Sequence, residues 1–230
     1  MSMPRPTSST ITCDADIARG ARALARKCDV ARRVHAAVGT PPLRLQPPGF
    51  EGLARIVVGQ QLSVASAAAI WGRCQKKIKP MTPDRMMRTR ETTCKALGLS
   101  AGKIKTLKAA ARAIHEGALD LDAPDLDDTT LREQLIAVHG IGPWTADIYM
   151  MFSLGRSDAF APGDLALQIG AQYAFGCDAR PSPDDLTDLV EVWRPWRAVG
   201  ARMLWAYYAH VKNEARSGAS RADAASAVPV

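Results

Sequence analysis

What the 230-residue sequence lacks excludes several classes of protein. No stretch approaches the roughly 18 uninterrupted apolar residues of a membrane span, and the N-terminus has no continuous apolar segment typical of a secretory signal. With 47% hydrophobic and 23% charged residues, the composition is typical of an ordinary globular protein. We therefore expect a cytoplasmic protein without membrane contacts.

The cysteines and histidines do not form a metal-ligand pattern. No pair of cysteines has the C-x-x-C spacing that holds zinc or a cluster, and the four histidines are far apart. We expect reduced thiols, no iron–sulfur cluster and no catalytic metal. The cysteines are Cys13, Cys28, Cys74, Cys94 and Cys177, and the histidines are His35, His115, His139 and His210.

Alternating and β-branched runs, the signals of β-strands, are nearly absent, whereas signals for helix starts recur. Asp14 is predicted to cap a single helix that carries Ile17, Leu24 and Val34. Thr82-Pro83 and Ser182-Pro183 each supply an N-cap followed by proline at the first helical position. The sequence therefore predicts an all-α protein, without internal repeats or low-complexity inserts.

Further helix boundaries follow from local spacing. Thr130 to Glu133 has capping-box spacing, and the helix that it opens would bury Leu131, Leu135 and Val138. The stretch RIVVGQQLSVASAAAIWGRC predicts two helices broken near residues 59–63, and WRPWRAVGARMLWAYYAHV predicts a long C-terminal helix. Small polar residues dominate both ends. We expect a disordered segment over 1–12, a helical domain over 13–212 and a flexible tail over 213–230.

Positive charge is concentrated in one part of the chain. Thirty lysines and arginines against 23 acidic residues give a net charge of +7. Residues 73–112 contain twelve basic and two acidic residues, and an acidic segment follows them. The two interpretations of this basic stretch are a solvated helical face and a surface for a polyanion such as nucleic acid.

The segment VHGIGPWTAD, residues 138–147, holds two glycines one residue apart. A dinucleotide fingerprint needs a third glycine, where Thr145 stands, and a strand before the pair rather than a helix. The segment instead predicts a helix-hairpin-helix over 130–153, with Pro143 at the start of the second helix. N–H groups of the turn suit a phosphate, and Gly140 and Gly142 allow a DNA backbone to approach. Alternatively, the glycines form only a helix end and a tight turn.

Four blocks, in order along the chain, resemble the helix-hairpin-helix DNA glycosylase superfamily. LIAVHGIGPWTADIYMMF is similar to its hairpin, and DAFAPGDLALQ to the Gly/Pro-rich loop with an essential aspartate. FEGLARIVVGQQLSVASAAAIW and WRPWRAVGARMLWAYY resemble the alkylation-repair branch, DNA-3-methyladenine glycosylase II. The resemblance, from Phe50 to Tyr208, implies two helical subdomains flanking a cleft. Because about fifty residues precede Phe50, we expect the N-terminal β-rich domain of larger members to be absent.

The resemblance implies a catalytic carboxylate and an aromatic base pocket. Asp164 matches the essential aspartate, although an aspartate after Pro-Gly is also a good helix N-cap. Trp144 and Trp196 match pocket aromatics of the family, where they would stack on a cationic base. Tyr149 lies one residue away from the position of a pocket tyrosine. Trp71, Trp193 and Trp205 are interpreted as core residues.

The resemblance also implies DNA-binding segments. These are the hairpin residues Gly140, Ile141, Gly142 and Thr145 and the wedge segment Gln60, Gln61, Leu62 and Ser63. Gln61 or Leu62 would insert into the gap left by a flipped base, while the alternative for Gln60 and Ser63 is a polar turn. Family members also bind a monovalent cation through hairpin carbonyls, which Val138 and Ile141 would supply here.

The sequence thus predicts a monomeric, monofunctional DNA glycosylase that acts on alkylated purines in damaged double-stranded DNA. Bifunctional relatives carry a lysine nucleophile where Trp144 stands, so we expect an intact abasic product. A protein of this kind in a bacterium would be associated with the nucleoid. The alternatives are a non-catalytic helix-hairpin-helix DNA-binding module and a bifunctional glycosylase/lyase for oxidised bases.

Overall fold

The computed structural model describes residues 10–121 and 126–225. Its regular elements there are helices, and the pairing between Thr10 and Arg156 is an isolated bridge. The prediction of an all-α protein is therefore confirmed. Most of the predicted disordered segment 1–12 lies outside the described residues. No helix in the described part is long and apolar enough to cross a membrane.

Twelve α-helices and one short 3₁₀ helix make up the described chain. The 3₁₀ helix covers Glu191–Trp193. In chain order the α-helices are α1 (Asp14–Lys27), α2 (Asp29–Val38), α3 (Gly49–Gly59), α4 (Val64–Lys77), α5 (Pro83–Arg88), α6 (Glu91–Ala96), α7 (Ala101–His115), α8 (Asp128–Ala137), α9 (Pro143–Phe152), α10 (Leu165–Phe175), α11 (Pro183–Leu189) and α12 (Arg197–Ala225).

The chain forms two compact units. One comprises Thr10 and the described residues of 44–159, and contains α3 to α9; we call it the hairpin unit. The other comprises Ile11–Leu43 and residues 160–225, and contains α1, α2 and α10 to α12; we call it the aspartate unit. The helices of the hairpin unit therefore come from one long continuous part of the chain, whereas the aspartate unit combines helices from two separate parts.

Each unit has its own buried apolar core. In the hairpin unit α5 packs on α7, and α3 packs on α4, α7 and α9. In the aspartate unit α12 packs on α1, α2 and α10. The core side chains of the hairpin unit include Leu53, Val57, Ile104, Leu107 and Tyr149, and those of the aspartate unit include Ile17, Leu24, Leu167, Trp193 and Leu204.

Side-chain caps explain where several helices begin. The Thr82 hydroxyl accepts the Arg85 N–H, and Ser182 forms a capping box with Asp185, so both predicted Pro-containing starts are confirmed. The break between α3 and α4 is also confirmed, with Ser63 as the N-cap of α4. The capping box predicted at Thr130 is wrong. Asp127 lies three residues earlier, and its carboxylate accepts the N–H groups of the first turn of α8.

The N-terminal region differs from the single helix that the sequence predicts. Cys28 is extended, with φ −142° and ψ 124°, and separates α1 from α2. Asp29 begins α2, where a carboxylate favours a helix N-terminus. Asp14 is the first residue of α1 rather than its cap, and its side chain accepts the Leu43 N–H at 2.9 Å.

The C-terminal helix is longer than predicted. The prediction of a helix in the tryptophan-rich segment is confirmed, but α12 continues to Ala225, beyond the predicted boundary at residue 213. Five alanines lie between residues 213 and 225, and alanine has the highest intrinsic helix propensity. The alanine content of residues 213–225 therefore favours continuation of the helix. The remainder of that predicted tail, 226–230, lies outside the described residues.

Candidate active site

The predicted helix-hairpin-helix is present in the hairpin unit. Helix α8 ends at Ala137, the Ile141 N–H donates to the Val138 carbonyl at 3.0 Å, and α9 begins at Pro143 as predicted. Helices α8 and α9 pack on each other. The turn between them therefore holds four residues after Val138, and both glycines lie in it.

The two glycines have different structural requirements. Gly140 has φ +82°, a conformation that favours glycine, and a Cβ there would overlap the Thr106 hydroxyl of α7. Gly142 has φ −91°, and a Cβ there would meet no atom within 4 Å. The tight-turn interpretation thus explains Gly140 but not Gly142. The open space at Gly142 allows an external group to approach the main chain.

The N-terminus of α9 presents unsatisfied donors. Gly142 is the N-cap and contributes no side chain. Within the described part of the chain, the N–H groups of Gly140, Gly142 and Thr145 donate to no acceptor. The first N–H groups of a helix lie at the positive end of its dipole, where an anion is stabilised. This turn therefore has the geometry of an anion site that can hold a phosphate.

An ion pair joins the two helices of the hairpin. Arg132 of α8 donates from Nε to Asp147 Oδ1 of α9 at 2.7 Å, and Asp147 is buried. This hydrogen bond raises the pKa of Arg132 above its ordinary value. The sequence analysis did not identify either residue, although a charged residue within the apolar pattern of α9 was a usable signal. The ion pair therefore holds α8 and α9 together on the two sides of the turn.

Thr145 and Gln60, both predicted to bind DNA, contact each other. Thr145 is only 2% exposed, and its hydroxyl accepts a hydrogen bond from the Gln60 side-chain amide at 2.7 Å. The side chain of Thr145 therefore faces the interior of the hairpin unit, and its backbone N–H is the group available to a ligand. This hydrogen bond therefore links the wedge segment to α9.

The remainder of the wedge segment is exposed. Gln61 has φ +55°, a left-handed conformation that few non-glycine residues adopt. Leu62 is 39% exposed, and Val64, in the first turn of α4, is 89% exposed. Ser63 caps α4 by accepting the Ser66 N–H. Exposed apolar side chains therefore lie next to a residue with a strained backbone. Val64 is one of them, and nothing in the sequence singled it out.

The pocket aromatics predicted in the hairpin unit have different environments. Trp144 is half-buried in the first turn of α9. Tyr149 is fully buried, and its hydroxyl accepts the Gly49 N–H at 3.0 Å. This position makes Tyr149 part of the core of the hairpin unit, whereas Trp144 retains an accessible surface.

Asp164 is the N-cap of α10 in the aspartate unit. Its Oδ1 accepts two hydrogen bonds, from the Leu167 N–H at 3.0 Å and from the Trp205 indole Nε1–H at 3.0 Å. The preceding loop is ordered by Gln168, whose amide donates to the Pro162 carbonyl at 2.9 Å. The carboxylate is half-buried, and two fixed donors set its orientation.

Two tryptophans of the aspartate unit differ from their predicted environments. Trp205 was interpreted as a core residue, but it is half-buried and hydrogen-bonded to Asp164. Trp196, predicted to line the pocket, has the Arg19 guanidinium 5.5 Å from its ring centroid. A Cβ on Gly20 would lie 2.7 Å from the Trp196 ring, so α1 packs closely on this ring. Both contacts lie within the aspartate unit.

Metal ligation by side chains has no support in the described residues. They contain no group of three or more His, Cys, Asp or Glu side chains that could hold a metal ion. The buried thiols are also unreactive in character, since burial raises the pKa of Cys74 to about 11. The candidate functional groups are therefore a carboxylate and indoles in the aspartate unit, and an indole and backbone N–H groups in the hairpin unit.

These features define an all-helical protein with an anion-binding hairpin and an oriented carboxylate. The sequence matches the family described as HhH-GPD superfamily base excision DNA repair protein over residues 54–195. The chain belongs to this family, and the resemblance described above is confirmed.

Individual relatives agree with this assignment. The chain is 32% identical to DNA-3-methyladenine glycosylase 1 of Schizosaccharomyces pombe over 162 residues, which cover 68% of this chain and 71% of the relative. It is 29% identical to DNA-3-methyladenine glycosylase 2 of Escherichia coli over 180 residues, which cover 72% of this chain and 60% of the relative.

Solved structures show the same fold. The S. pombe 3-methyladenine DNA glycosylase (Mag1) in complex with abasic DNA matches with a TM-score of 0.74 and 29% identity, covering 81% of this chain and 95% of that one. The DNA-3-methyladenine glycosidase of Bacillus halodurans matches with a TM-score of 0.73 and 28% identity, and the match covers 93% of this chain and 94% of that one.

Proposed function

We propose that this protein is a monofunctional DNA glycosylase that removes alkylated purines, such as 3-methyladenine and 7-methylguanine, from double-stranded DNA. The observation that carries the proposal is the Asp164 carboxylate, which is fixed by a helix N-terminus and by an indole N–H. The relatives named DNA-3-methyladenine glycosylase support this choice of substrate. The product is an abasic site with an intact strand.

The chemistry needs little more than a well-placed negative charge. Alkylation at N3 or N7 makes the purine cationic, so its N-glycosidic bond is already weakened. As the bond breaks, positive charge develops on the sugar, and Asp164 stabilises it or activates the attacking water. At about 4 Å and an effective dielectric constant near 20, the electrostatic contribution is about 4 kcal/mol.

Aromatic rings would hold the flipped base. Stacking of a cationic purine on an indole contributes roughly 0.5 to 2 kcal/mol. Trp144 is the best-placed ring in the hairpin unit because it is half-buried, whereas Tyr149 is enclosed in the core. Trp196 is the corresponding candidate in the aspartate unit, with part of its surface packed on α1. The proposed pocket thus relies chiefly on Trp144.

The hairpin and the wedge segment would bind the DNA strand. The N–H groups of Gly140, Gly142 and Thr145 are the proposed phosphate ligands. Gln61 or Leu62 would fill the gap that the flipped base leaves. The positive φ of Gln61 supports this assignment, because backbone strain of this kind concentrates at functional sites.

The hairpin carbonyls also fit a monovalent cation. Backbone carbonyl oxygens are ligands that suit K⁺ and related ions. The Val138 carbonyl accepts one hydrogen bond, from Ile141, and a carbonyl oxygen has two lone pairs. Val138 and Ile141 would therefore supply two ligands, and the ion would add positive charge where a phosphate binds. We also propose that the protein acts as a monomer, which light scattering of the purified chain tests directly.

Incubation with methylated duplex DNA tests the proposed function. We expect chromatography to detect free 3-methyladenine and 7-methylguanine, and strand cleavage to require added alkali. Because Trp144 stands where bifunctional relatives have a lysine, borohydride should trap no covalent adduct. DNA binding without base release would instead support the non-catalytic alternative, and a trapped adduct would support the lyase alternative.

A further inference from the structure

The basic stretch of the sequence forms a cationic depression in the hairpin unit. The depression lies between the end of α4, helix α5 and the start of α6, and has a volume of about 520 Å³. Its cations are Lys77, Arg85, Arg88 and Arg90, and its one carboxylate is Asp84. Neither the hairpin nor the wedge segment contributes to it, so it is separate from the site described above.

The four cations have no internal counter-charge. In the part of the chain that the structure describes, none of them makes an ion pair, and all four are exposed. The one carboxylate of the depression, Asp84, lies 3.9 Å from His115 Nδ1 and makes no ion pair with any of the four cations. Grouped like charges repel one another, and an external anion relieves that repulsion.

The lining favours a phosphodiester backbone over other anions. Arginine binds phosphate through a planar fork of donors, and three of the four cations are arginines. The remaining lining residues are threonines and one proline, so no aromatic ring is present to stack a base. Large apolar anchors, which dominate protein–protein interfaces, are also missing from it. A charged surface of this kind holds a strand without reading its sequence.

Helix α7 separates the depression from the hairpin. Gly140 packs against Thr106, whereas Asp84 of the depression lies 3.9 Å from His115 at the other end of the same helix. At 1.5 Å per residue, these two points on α7 are about 13 Å apart. This distance corresponds to about four base pairs of duplex length. Substitutions in the depression can therefore leave the hairpin contact intact.

We propose that this cationic depression is a second DNA-binding surface, which contacts backbone phosphates of the duplex outside the hairpin contact. The choice of DNA rests on the proposed function, but base excision is not required for the contact. Such a surface would strengthen binding to undamaged DNA during the search for a lesion. It would also make that binding more sensitive to salt.

The test compares the double variant Arg88→Gln/Arg90→Gln with Arg22→Gln/Arg26→Gln. The control removes two exposed arginines of α1, so both variants have the same net charge. Binding to an undamaged 30-base-pair duplex is measured over a range of salt concentrations. Each lost phosphate contact reduces the slope of log K against log salt by about 0.9. We expect a reduction of about 2 for the first variant and an unchanged slope for the control.

A second measurement uses the wild-type protein and so does not depend on the folding of a variant. Lys77 is labelled with an amine-acylating reagent, and the duplex is expected to protect it at least severalfold. Equal labelling with and without saturating DNA, or equal slopes for both variants, would overturn the proposal. Protection by polyglutamate but not by DNA would identify an acidic polypeptide as the ligand and would likewise overturn it. Failure of base release alone, with Lys77 protected, would reject the proposed function and leave this surface intact.

Discussion

The substitution Asp164→Asn separates the proposed catalytic role of this side chain from its role as a helix cap. An asparagine is nearly isosteric and keeps an oxygen that can accept from the Leu167 N–H and the Trp205 indole, the two donors that reach Oδ1. Asparagine is also about as good an N-cap as aspartate. The variant thus removes the negative charge while preserving the cap of α10 and the orientation of the group.

The expected effects on rate and stability differ greatly in size. Loss of about 4 kcal/mol of charge stabilisation, at about 4 Å and an effective dielectric constant near 20, reduces the rate of base release about a thousandfold. Loss of the interaction of the carboxylate with the helix dipole costs the folded state about 0.3 to 1 kcal/mol. For a chain of this size that corresponds to a decrease in Tm of at most about 4 °C.

Single-turnover release of 7-methylguanine measures the rate, and thermal unfolding measures the stability. The matched control is Asp127→Asn, which removes the same charge from the N-cap of α8 and should leave the rate unchanged. Asp164→Ala should be as inactive as Asp164→Asn but less stable, because it also loses the cap. A rate for Asp164→Asn within tenfold of wild type, with the fold intact, would show that this charge is not the source of catalysis.

Two further outcomes follow from the aspartate unit. Trp205→Phe removes one of the donors that orient Asp164, so the carboxylate is no longer held in place and kcat should fall about 10- to 100-fold. Trp193→Phe, which removes a buried N–H with no described partner, should leave kcat unchanged. Hydrogen bonds from Thr12 lower the pKa of Asp16, so its stabilising effect is present above about pH 4 and is lost as the pH falls. Urea unfolding of Asp16→Asn should therefore show a deficit at pH 7 that shrinks progressively as the pH falls below about 4; a deficit independent of pH would contradict this.

Elements that depend on local chemistry were predictable from the sequence. Thr82 and Ser182 begin helices because a hydroxyl and a following proline act within one turn, and the hairpin turn follows from its glycines and Pro143. The errors arose where neighbouring signals compete. Asp127 replaces the predicted cap because α8 begins about one turn earlier, where its carboxylate accepts the N–H groups of Thr129 and Thr130. Spacing alone cannot rank two adjacent caps.

The contacts that build the site were not predictable, because they join residues far apart in the chain. Trp205 is 41 residues from Asp164, and Gln60 is 85 residues from Thr145. In the sequence an indole that binds a carboxylate looks the same as one that fills a core, so Trp205 was assigned to the core. The family resemblance identified Asp164, but only the fold shows which groups orient it.

The position of Asp164 is compatible with both its role as a helix cap and its proposed role in catalysis. A helix N-terminus interacts favourably with a negative side chain, and Asp164 occupies that position in α10. The same donors compete with the developing cation for that charge, which weakens its effect on the sugar. Both identified donors reach one oxygen, Oδ1, and they fix the plane of the carboxylate. An alkylated purine is already a good leaving group. For such a base, a carboxylate held in a fixed position should contribute more to the rate than a carboxylate that shares less of its charge with donors but can move.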